Sequence, residues 1–202
     1  MARTVGSAAE DTRQRILEAA LELMIERGYA ATSVRDIAEQ VRMTKGSLYY
    51  HFASKDDLLF ALLTPLVDAM DEFVGQARAA GRITGDLLRR LVDIFDDHAP
   101  LLRALMGDPS VIRGMMLRHR LPERLGTLLD VLGGGDDEAA GLRARCVLGV
   151  IHSGVLAPSD PTRKMGPAAD ELCASHPQPR LTEAEKAYVT AAACAVLAVP
   201  TS

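Results

Sequence analysis

The chain of 202 residues lacks tryptophan, and aromatic residues make up only 4% of it. This scarcity disfavours a core of stacked aromatic rings and favours helices packed through Leu, Ala and Val. Cysteine is also scarce. Cys146, Cys173 and Cys194 are odd in number and show no CxxC spacing, so reduced thiols are expected.

Long apolar runs are absent as well. The longest uncharged ones, 146–151 and 188–199, are shorter than the roughly 18–20 residues that a membrane span needs. Residues 1–12 are small and polar and do not form a charged-then-apolar leader. With 48% apolar and 25% charged residues, the composition is that of an ordinary globular protein, and we expect it in the cytoplasm.

Excess positive charge is missing too, because the net charge is −4. At first sight this argues against a nucleic-acid partner. Residues 1–55, however, contain eight basic and seven acidic side chains, a local net charge of +1. Any DNA binding would therefore depend on a few directed groups and helix N-termini, not on a broad basic face.

The pattern that is present is helical throughout, without strand-like alternation, so we predict an all-α fold. Residues 1–11 have no apolar periodicity and are expected to form a flexible arm. From about Thr12, apolar residues recur at three- and four-residue spacing, which predicts an amphipathic helix. Gly28 suits the left-handed residue that ends such a helix.

Three further helix starts follow at short intervals. Ser33 and Asp36 form a capping box, Thr44 begins the next short helix, and Ser54 caps a long helix. Pro65 lies inside the long helix and predicts either a kink or a break. The expected buried residues of the two short helices are Val34, Ile37, Ala38, Leu48 and Phe52.

The rest of the chain is predicted to be helical, with loops at 133–135 and 158–180 where Gly, Pro and polar residues cluster. We divide the chain into an arm at 1–11, a helix-turn-helix domain at 12–53 and a second helical domain at 54–202. The further helices are predicted at 86–98, 100–106, 109–119, 122–132, 137–157 and 182–198.

The segment from Thr44 onward carries side chains suited to DNA. A helix that begins there directs free N–H groups and a positive dipole end outward, toward a phosphate. Lys45 adds a positive charge, Gly46 permits close approach of the backbone, and Ser47 can bond a phosphate or a base edge. Two short helices in this order are what a helix-turn-helix requires to enter a major groove.

Residues 13–59 resemble the DNA-binding domain of the TetR family of bacterial transcriptional regulators. The matching pieces are 32–38, 45–52 and 54–59, in the same order and at the same spacing. The resemblance implies an N-terminal three-helix DNA-binding domain followed by a helical ligand-binding and dimerisation domain. It also implies a homodimeric repressor that a small-molecule ligand releases from a palindromic operator.

The same resemblance implies roles for individual side chains. Tyr49 and His51 would mostly hold phosphates, and Lys45, Ser47 and Tyr50 would face bases, while further residues would clamp the flanking backbone. Arg13 and Arg15 are either a solvated helix face or DNA contacts. The expected DNA-contacting residues are Thr32, Arg35, Arg42, Thr44, Lys45, Gly46, Ser47, Tyr49, Tyr50, His51 and Lys55.

One position departs from the family pattern. The turn between the two short helices usually contains glycine, and here it reads Val41, Arg42 and Met43. A non-glycine residue at positive φ costs of order 1 kcal/mol. Either the turn avoids that geometry, or Arg42 tolerates it while reaching a phosphate.

The second domain is expected to provide the dimer interface and the ligand pocket. Resemblance to the family suggests that the helices near 137–157 and 182–198 pair with the same helices of a second copy. Met residues adapt to irregular ligands, and His or Arg can fix a polar group. Candidate pocket residues are Phe95, His98, Arg103, Met106, Met115, Met116, His119, Cys146, Val150 and His152.

Two other classes of function were weighed. The first is a DNA-binding regulator without small-molecule input, controlled by a protein partner or constitutive, which would have a filled interior in its second domain. An enzyme is not expected, because we find no nucleophile–base or paired-carboxylate constellation and no phosphate loop. His98, His119, Cys146 and His152 show no metal-ligand spacing, so neither a metal nor another cofactor is expected.

Overall fold

A computed structural model describes residues 5–106, 120–135, 137–157 and 180–199. Within these ranges the chain is entirely helical, which confirms the predicted all-α class. The helices are α1 (Val5–Ala31), α2 (Val34–Gln40), α3 (Lys45–His51), α4 (Lys55–Ala80), α5 (Gly85–Asp97), α6 (Ala99–Met106), α7 (Leu121–Gly133), α8 (Ala140–Leu156) and α9 (Glu183–Leu197).

Most predicted boundaries agree with these helices to within a few residues, because side chains at the helix starts cap the backbone locally. Ser33, Thr44 and Ser54 each accept a hydrogen bond from an N–H of the following turn. Gly28 has φ +80° and interrupts α1 as predicted, although helical residues follow it. The helix predicted at 109–119 lies outside the described residues.

The flexible arm predicted at 1–11 is wrong from Val5 onward, because α1 begins at that residue. The prediction relied on apolar periodicity alone. Ala8, Ala9 and Glu10 are strong helix formers, and they extend a helix that Ile16 and later residues anchor in the core. Residues 1–4 lie outside the described part of the chain.

Helix α4 continues through Pro65, so of the two predicted alternatives at that residue, a kink or a break, the break is wrong. Proline removes one backbone hydrogen bond, yet the helix is held by burial on both sides of it. Leu63 is buried before the proline, and Phe73 is buried after it. A single helix therefore links the two halves of the molecule.

The buried side chains form two clusters. The first combines α1, α2 and α3 with the beginning of α4, and it contains four of the five predicted core residues, while Val34 is half-buried. The second combines the end of α4 with α5, α7, α8 and α9. Helix α4 contributes to both clusters.

Helix α6 joins the two clusters. The predicted boundary between a domain at 12–53 and a domain at 54–202 did not include such a connection. Leu101 and Leu105 of α6 are buried in the first cluster. From the same helix, the Arg103 guanidinium donates to the carbonyl of Val155 at 2.6 Å and to that of Leu156 at 3.4 Å, at the end of α8. Burial lowers the pKa of Arg103, and Asp96 acts in the opposite direction.

Ion pairs fasten α5 to α9. The Lys186 ammonium lies 2.8 Å from Asp93 Oδ1 and 3.1 Å from Asp96 Oδ2. The other oxygen of Asp96 accepts the backbone N–H of Leu181 at 3.0 Å, just before α9. Asp96 is only 1% exposed, so its charge depends on Lys186 for compensation.

Among the helices that the model describes, none combines the length and the apolar character needed to cross a lipid bilayer.

Candidate nucleic-acid interface

Helix α2 is fixed by the capping box that the sequence predicts. Ser33 Oγ accepts the N–H of Asp36 at 3.1 Å, and the Asp36 carboxylate accepts the N–H of Ser33 at 2.8 Å. These bonds from Ser33 hold the pKa of Asp36 below its ordinary value. Ile37 and Ala38 are buried against α1, so the orientation of α2 is set by both its start and its core face.

The turn after α2 adopts the left-handed backbone geometry at Arg42, one of the two alternatives that the sequence left open. Arg42 has φ +58°. Its N–H donates to the carbonyl of Glu39 at 3.1 Å, and the N–H of Met43 donates to that of Ala38 at 2.8 Å. This pair of bonds is a Schellman helix ending, whose left-handed residue is usually glycine. The Arg42 side chain remains exposed.

Arg42→Gly is therefore expected to raise the free energy of unfolding by about 1 kcal/mol, because glycine relieves the left-handed backbone. Urea unfolding followed by circular dichroism measures the change. Arg42→Ala is the matched control, since it removes the side chain and retains the strain. A glycine variant no more stable than the alanine variant would contradict this account of the turn.

The same pair of variants tests whether Arg42 reaches a phosphate. We expect both to bind operator DNA more weakly than the parent chain, because both lack the cation. Full operator affinity in the glycine variant would remove Arg42 from the interface.

Helix α3 presents a polar, exposed surface. Its N-cap Thr44 accepts the N–H of Ser47 at 3.1 Å, and the two hydroxyl oxygens lie 2.8 Å apart. Leu48 is the buried residue of this helix. Apart from it, the start of the helix and its outer face are exposed: Thr44, Lys45, Gly46, Ser47, Tyr49 and Tyr50.

The aromatic side chains of α3 are ordered by their neighbours. Tyr50 is 87% exposed, and its ring meets the half-buried His51 ring edge-on at 5.4 Å between centroids. The Lys45 ammonium lies 5.6 Å from the centroid of the Tyr49 ring. Tyr49 is 42% exposed, so both tyrosine rings offer surface to a partner.

Gly46 is not required by packing inside the chain. A Cβ atom placed there would meet only Thr44 Oγ1, at an ordinary 3.9 Å. Its backbone is helical and has no positive φ. The free space in front of Gly46 therefore lies on the outer surface of α3.

Thr32 is not available to DNA, which contradicts its predicted role. The residue is 1% exposed, and its hydroxyl lies 3.1 Å from the carbonyl oxygen of Leu23 and 2.9 Å from that of Gly28. The N–H of Thr32 donates to the carbonyl of Tyr29, so the Gly28 carbonyl lacks that N–H as its helical partner. The hydroxyl bonds the carbonyls of Leu23 and Gly28 instead of facing outward.

Two other predicted clamp residues are engaged within the chain. The Lys55 ammonium donates to the carbonyl of Tyr29 and lies 3.9 Å from the centroid of the Tyr29 ring. Arg35 pairs with Glu39 at 2.8 Å, and both side chains are exposed. Arg35 can exchange this exposed pair for a phosphate more readily than Lys55 can leave its half-buried position.

Arg13 and Arg15 have a role that sequence reasoning missed. Arg13 donates to the carbonyl of His51 at 3.1 Å and covers the Phe52 ring at 4.2 Å. Arg15 donates to the carbonyl of Val41 at 3.4 Å. Both cations thus lie at helix C-terminal ends, where the dipole favours positive charge. This role could not be predicted, because both arginines are far in sequence from the carbonyl groups to which they donate.

The candidate ligand residues that the structure describes are not gathered in one cavity. Cys146 is exposed on α8. His98 Nδ1 is bonded to the carbonyl of Ile94 at 2.8 Å, which fixes it to its own helix. Arg103 and Val150 do line a common groove between α8 and α9, although Arg103 is committed there to the end of α8.

The remaining candidates are partly buried or not described. Phe95 packs partly buried in the second cluster, and His152 is half-buried on α8. Helical spacing alone could not distinguish such core positions from a ligand-binding surface. Met115, Met116, His119 and the side chain of Met106 lie outside the described part of the chain.

An apolar cavity of about 230 Å³ lies elsewhere, between α4 and α7. Sequence reasoning missed it because its two walls are separated by some fifty residues of chain. Among the lining residues that the structure describes, Asp71 and Arg124 are the charged ones, and they form an ion pair. The other lining residues are Leu66, Val67, Met70, Val74, Leu121, Leu125 and Leu128.

Helices α8 and α9 pack closely and leave an exposed outer face. A Cβ added to Gly154 would lie 2.7 Å from a methyl group of Val189, so this contact requires glycine. Exposed on the same helices are Leu142, Cys146 and Gly149, together with Tyr188, which is 78% exposed.

The fold and the exposed α3 surface define a helix-turn-helix protein. Residues 16–62 match the family model described as "Bacterial regulatory proteins, tetR family". The HTH-type transcriptional repressor Rv3405c of Mycobacterium tuberculosis is 32% identical over 152 residues, covering 75% of this chain and 72% of that protein. The chain belongs to the TetR family.

Two further comparisons agree with this membership. The HTH-type transcriptional regulator TtgR of Pseudomonas putida is 32% identical over 99 residues, and the match spans only 48% of this chain and 47% of TtgR. The crystal structure of Mycobacterium smegmatis AmtR is 30% identical, aligns with a TM-score of 0.52, and covers 93% of this chain and 95% of AmtR.

Proposed function

We propose that the protein is a homodimeric transcriptional repressor whose α3 reads the major groove of a palindromic operator, and that a small-molecule ligand releases it. The observation that carries this proposal is the surface of α3, on which a cation, a glycine, hydroxyls and two exposed tyrosines lie together. Repression is supported by the printed name of the Rv3405c relative.

Each group of α3 has a chemical role at the DNA. The first N–H groups and Lys45 supply positive potential at the helix start, where a phosphate binds. Ser47 and the tip of Tyr50 reach base edges, while Tyr49 and the half-buried His51 hold phosphates. Arg42 and Arg35 add cations on the flanks.

Dimerisation follows from the geometry of a palindrome. Two copies of α3 must lie about 34 Å apart to read successive major grooves on one side of the duplex. The outer face of α8 and α9 exposes Leu142 and Tyr188, apolar side chains that a twofold pair would bury.

Ligand control would travel through α4 and α6. Helix α4 begins in the DNA-binding cluster and ends as a wall of the apolar cavity. Helix α6 buries Leu101 in the DNA-binding cluster and ties Arg103 to α8. A ligand with different affinity for two orientations of these helices shifts their equilibrium, and a coupling of 1–3 kcal/mol weakens DNA binding roughly 5–150-fold.

Gly46→Ala tests the central contact. We expect an unchanged fold, because the added methyl group has free space, and an affinity for operator DNA lower by about tenfold, because it separates the helix from the duplex. Fluorescence anisotropy with DNA from the promoter region beside the gene measures binding.

Gly126→Ala is the matched control, since this helical glycine of α7 has no neighbour within 4 Å of an added Cβ, and Gly46 has only one ordinary contact at 3.9 Å. It should bind DNA like the parent chain. Equal affinity of the parent and the Gly46→Ala variant would place the DNA on another surface.

A further inference from the structure

Two adjoining spaces of opposite character meet at one ion pair. The apolar cavity between α4 and α7 has Asp71, Val74 and Arg124 in its wall. The same three residues also line a polar groove of about 420 Å³. A molecule in the cavity therefore has a direct exit into the groove.

The described lining of the cavity favours an aliphatic group. Apart from Asp71 and Arg124, the described residues of its wall are Leu, Val and Met, and none of these described residues carries an aromatic ring or a hydroxyl. A polar group placed there would lose its hydrogen bonds to water without replacement. A flat aromatic ligand would find no ring against which to stack. The flexible thioether of Met70 suits an alkyl chain of variable shape.

The groove, by contrast, carries a net positive charge. Its lining includes the guanidinium groups of Arg78, Arg120 and Arg124 and the carboxylates of Asp71 and Glu123. Arg120 pairs with Glu123, and Arg124 pairs with Asp71. In the described ranges, Arg78 forms no ion pair and remains exposed on α4, so one positive charge is uncompensated.

We propose that this composite site binds an amphiphilic monoanion, an alkyl carboxylate, with its chain in the cavity and its carboxylate on Arg78 and Arg124. The anion takes the place of Asp71 on Arg124, because guanidinium groups bind carboxylates through paired hydrogen bonds. That this molecule is also the effector rests on the proposed function, since α4 connects the site to the DNA-binding cluster.

Four probes separate the contributions of chain and charge: octanoate, octylammonium, 1-octanol and acetate. Isothermal titration calorimetry with the full chain is expected to show saturable binding of octanoate at one site per chain. Octanol is expected to bind about tenfold more weakly, and octylammonium and acetate not measurably. Equal affinities for octanoate and octylammonium, or no saturable binding of octanoate, would overturn the proposal.

Two substitutions at the ion pair have opposite expected effects. Arg124→Gln should weaken octanoate binding by about tenfold, because it removes the carboxylate partner. Asp71→Asn should strengthen it several-fold, because it removes the competing carboxylate. A merely structural ion pair would give losses in both variants, and that result would overturn the assignment.

Arg90→Gln is the matched control for charge. Arg90 pairs with Glu72, the residue next to Asp71, but it lies on α5 and outside the site. Its substitution should leave octanoate binding unchanged. If Arg90→Gln weakens octanoate binding as much as Arg124→Gln does, the effect comes from the total charge of the chain, and the proposed site is refuted.

DNA binding in the presence of octanoate distinguishes this inference from the proposed function. Release of operator DNA by octanoate, abolished in Arg124→Gln, supports both. Release by another small molecule, with octanoate inert in calorimetry, would refute the alkyl-carboxylate site and leave the ligand-responsive repressor standing.

Discussion

Replacing Lys186 with methionine is expected to lower the free energy of unfolding by about 3–5 kcal/mol, the usual cost of removing one partner from a buried ion pair. The side chain is almost fully buried, with 12% exposed, and faces the 1%-exposed Asp96. No hydrogen-bond donor in the described ranges satisfies Asp96 Oδ2, so the nearby ammonium is its compensation. Chemical unfolding in urea measures the loss.

The cause of this loss can be separated from lost packing. In the double variant Asp96→Asn, Lys186→Met the uncompensated charge is gone, so we expect a substantial part of the stability to return. Asparagine retains a carbonyl oxygen for the N–H of Leu181. If the double variant is as unstable as Lys186→Met alone, the loss of stability comes from the changed shape of the side chain and not from an uncompensated charge.

The same network predicts how stability changes with pH. Burial raises the pKa of Asp93, but the hydrogen bond and charge of Lys186, with those of Arg89, outweigh it and lower the pKa overall. The contribution of Asp93 is therefore complete above the unfolded pKa of about 3.9 and is lost as pH falls through the lower folded value. In Lys186→Met this acid-dependent component should shrink.

Lys45→Glu is expected to weaken operator binding by about 100-fold or more. Under the proposed function, the substitution removes a charged contact and places an anion at a helix start that faces phosphates, and the proposed dimer would carry this change twice. The side chain is exposed, so the fold and its thermal stability should change little. Titration of labelled operator at fixed salt measures the loss.

Arg90→Glu is the matched charge reversal for this experiment. It alters the net charge of the chain equally but lies on α5, outside α3. If it weakens binding as much as Lys45→Glu does, DNA attraction is a property of total charge, and the specific role of α3 is refuted.

The DNA-binding half of the fold was largely predictable because its determinants are local. Ser33, Thr44 and Ser54 cap helices within three residues of themselves, and Gly28 ends a periodic stretch. Each of these signals can be recognised in a short window of sequence. The exposed residues of α3 followed, because Leu48 and Phe52 determine which face is buried.

What escaped prediction depends on contacts between distant segments. Arg13 and Arg15 look like solvated cations until α1 is placed beside the ends of α3 and α2. Thr32 carries a hydroxyl suited to phosphate, but the interruption at Gly28 turns it inward.

The cavity between α4 and α7 illustrates the same limit. Each of its walls has ordinary apolar helical spacing, and only the packing of the two helices leaves space between them. Candidate ligand residues such as His98 and Cys146 were predicted from the chemical type of their side chains. The type of a side chain does not indicate whether a cavity lies beside it.

The most direct test of the central claim is a footprint of the full chain on the promoter DNA beside its gene, taken across a salt series. The account predicts protection of a palindrome with two half-sites about one helical turn apart, nanomolar affinity, and a steep loss of affinity with salt. Weak protection without sequence preference at every salt concentration would contradict a dimer that reads DNA through α3.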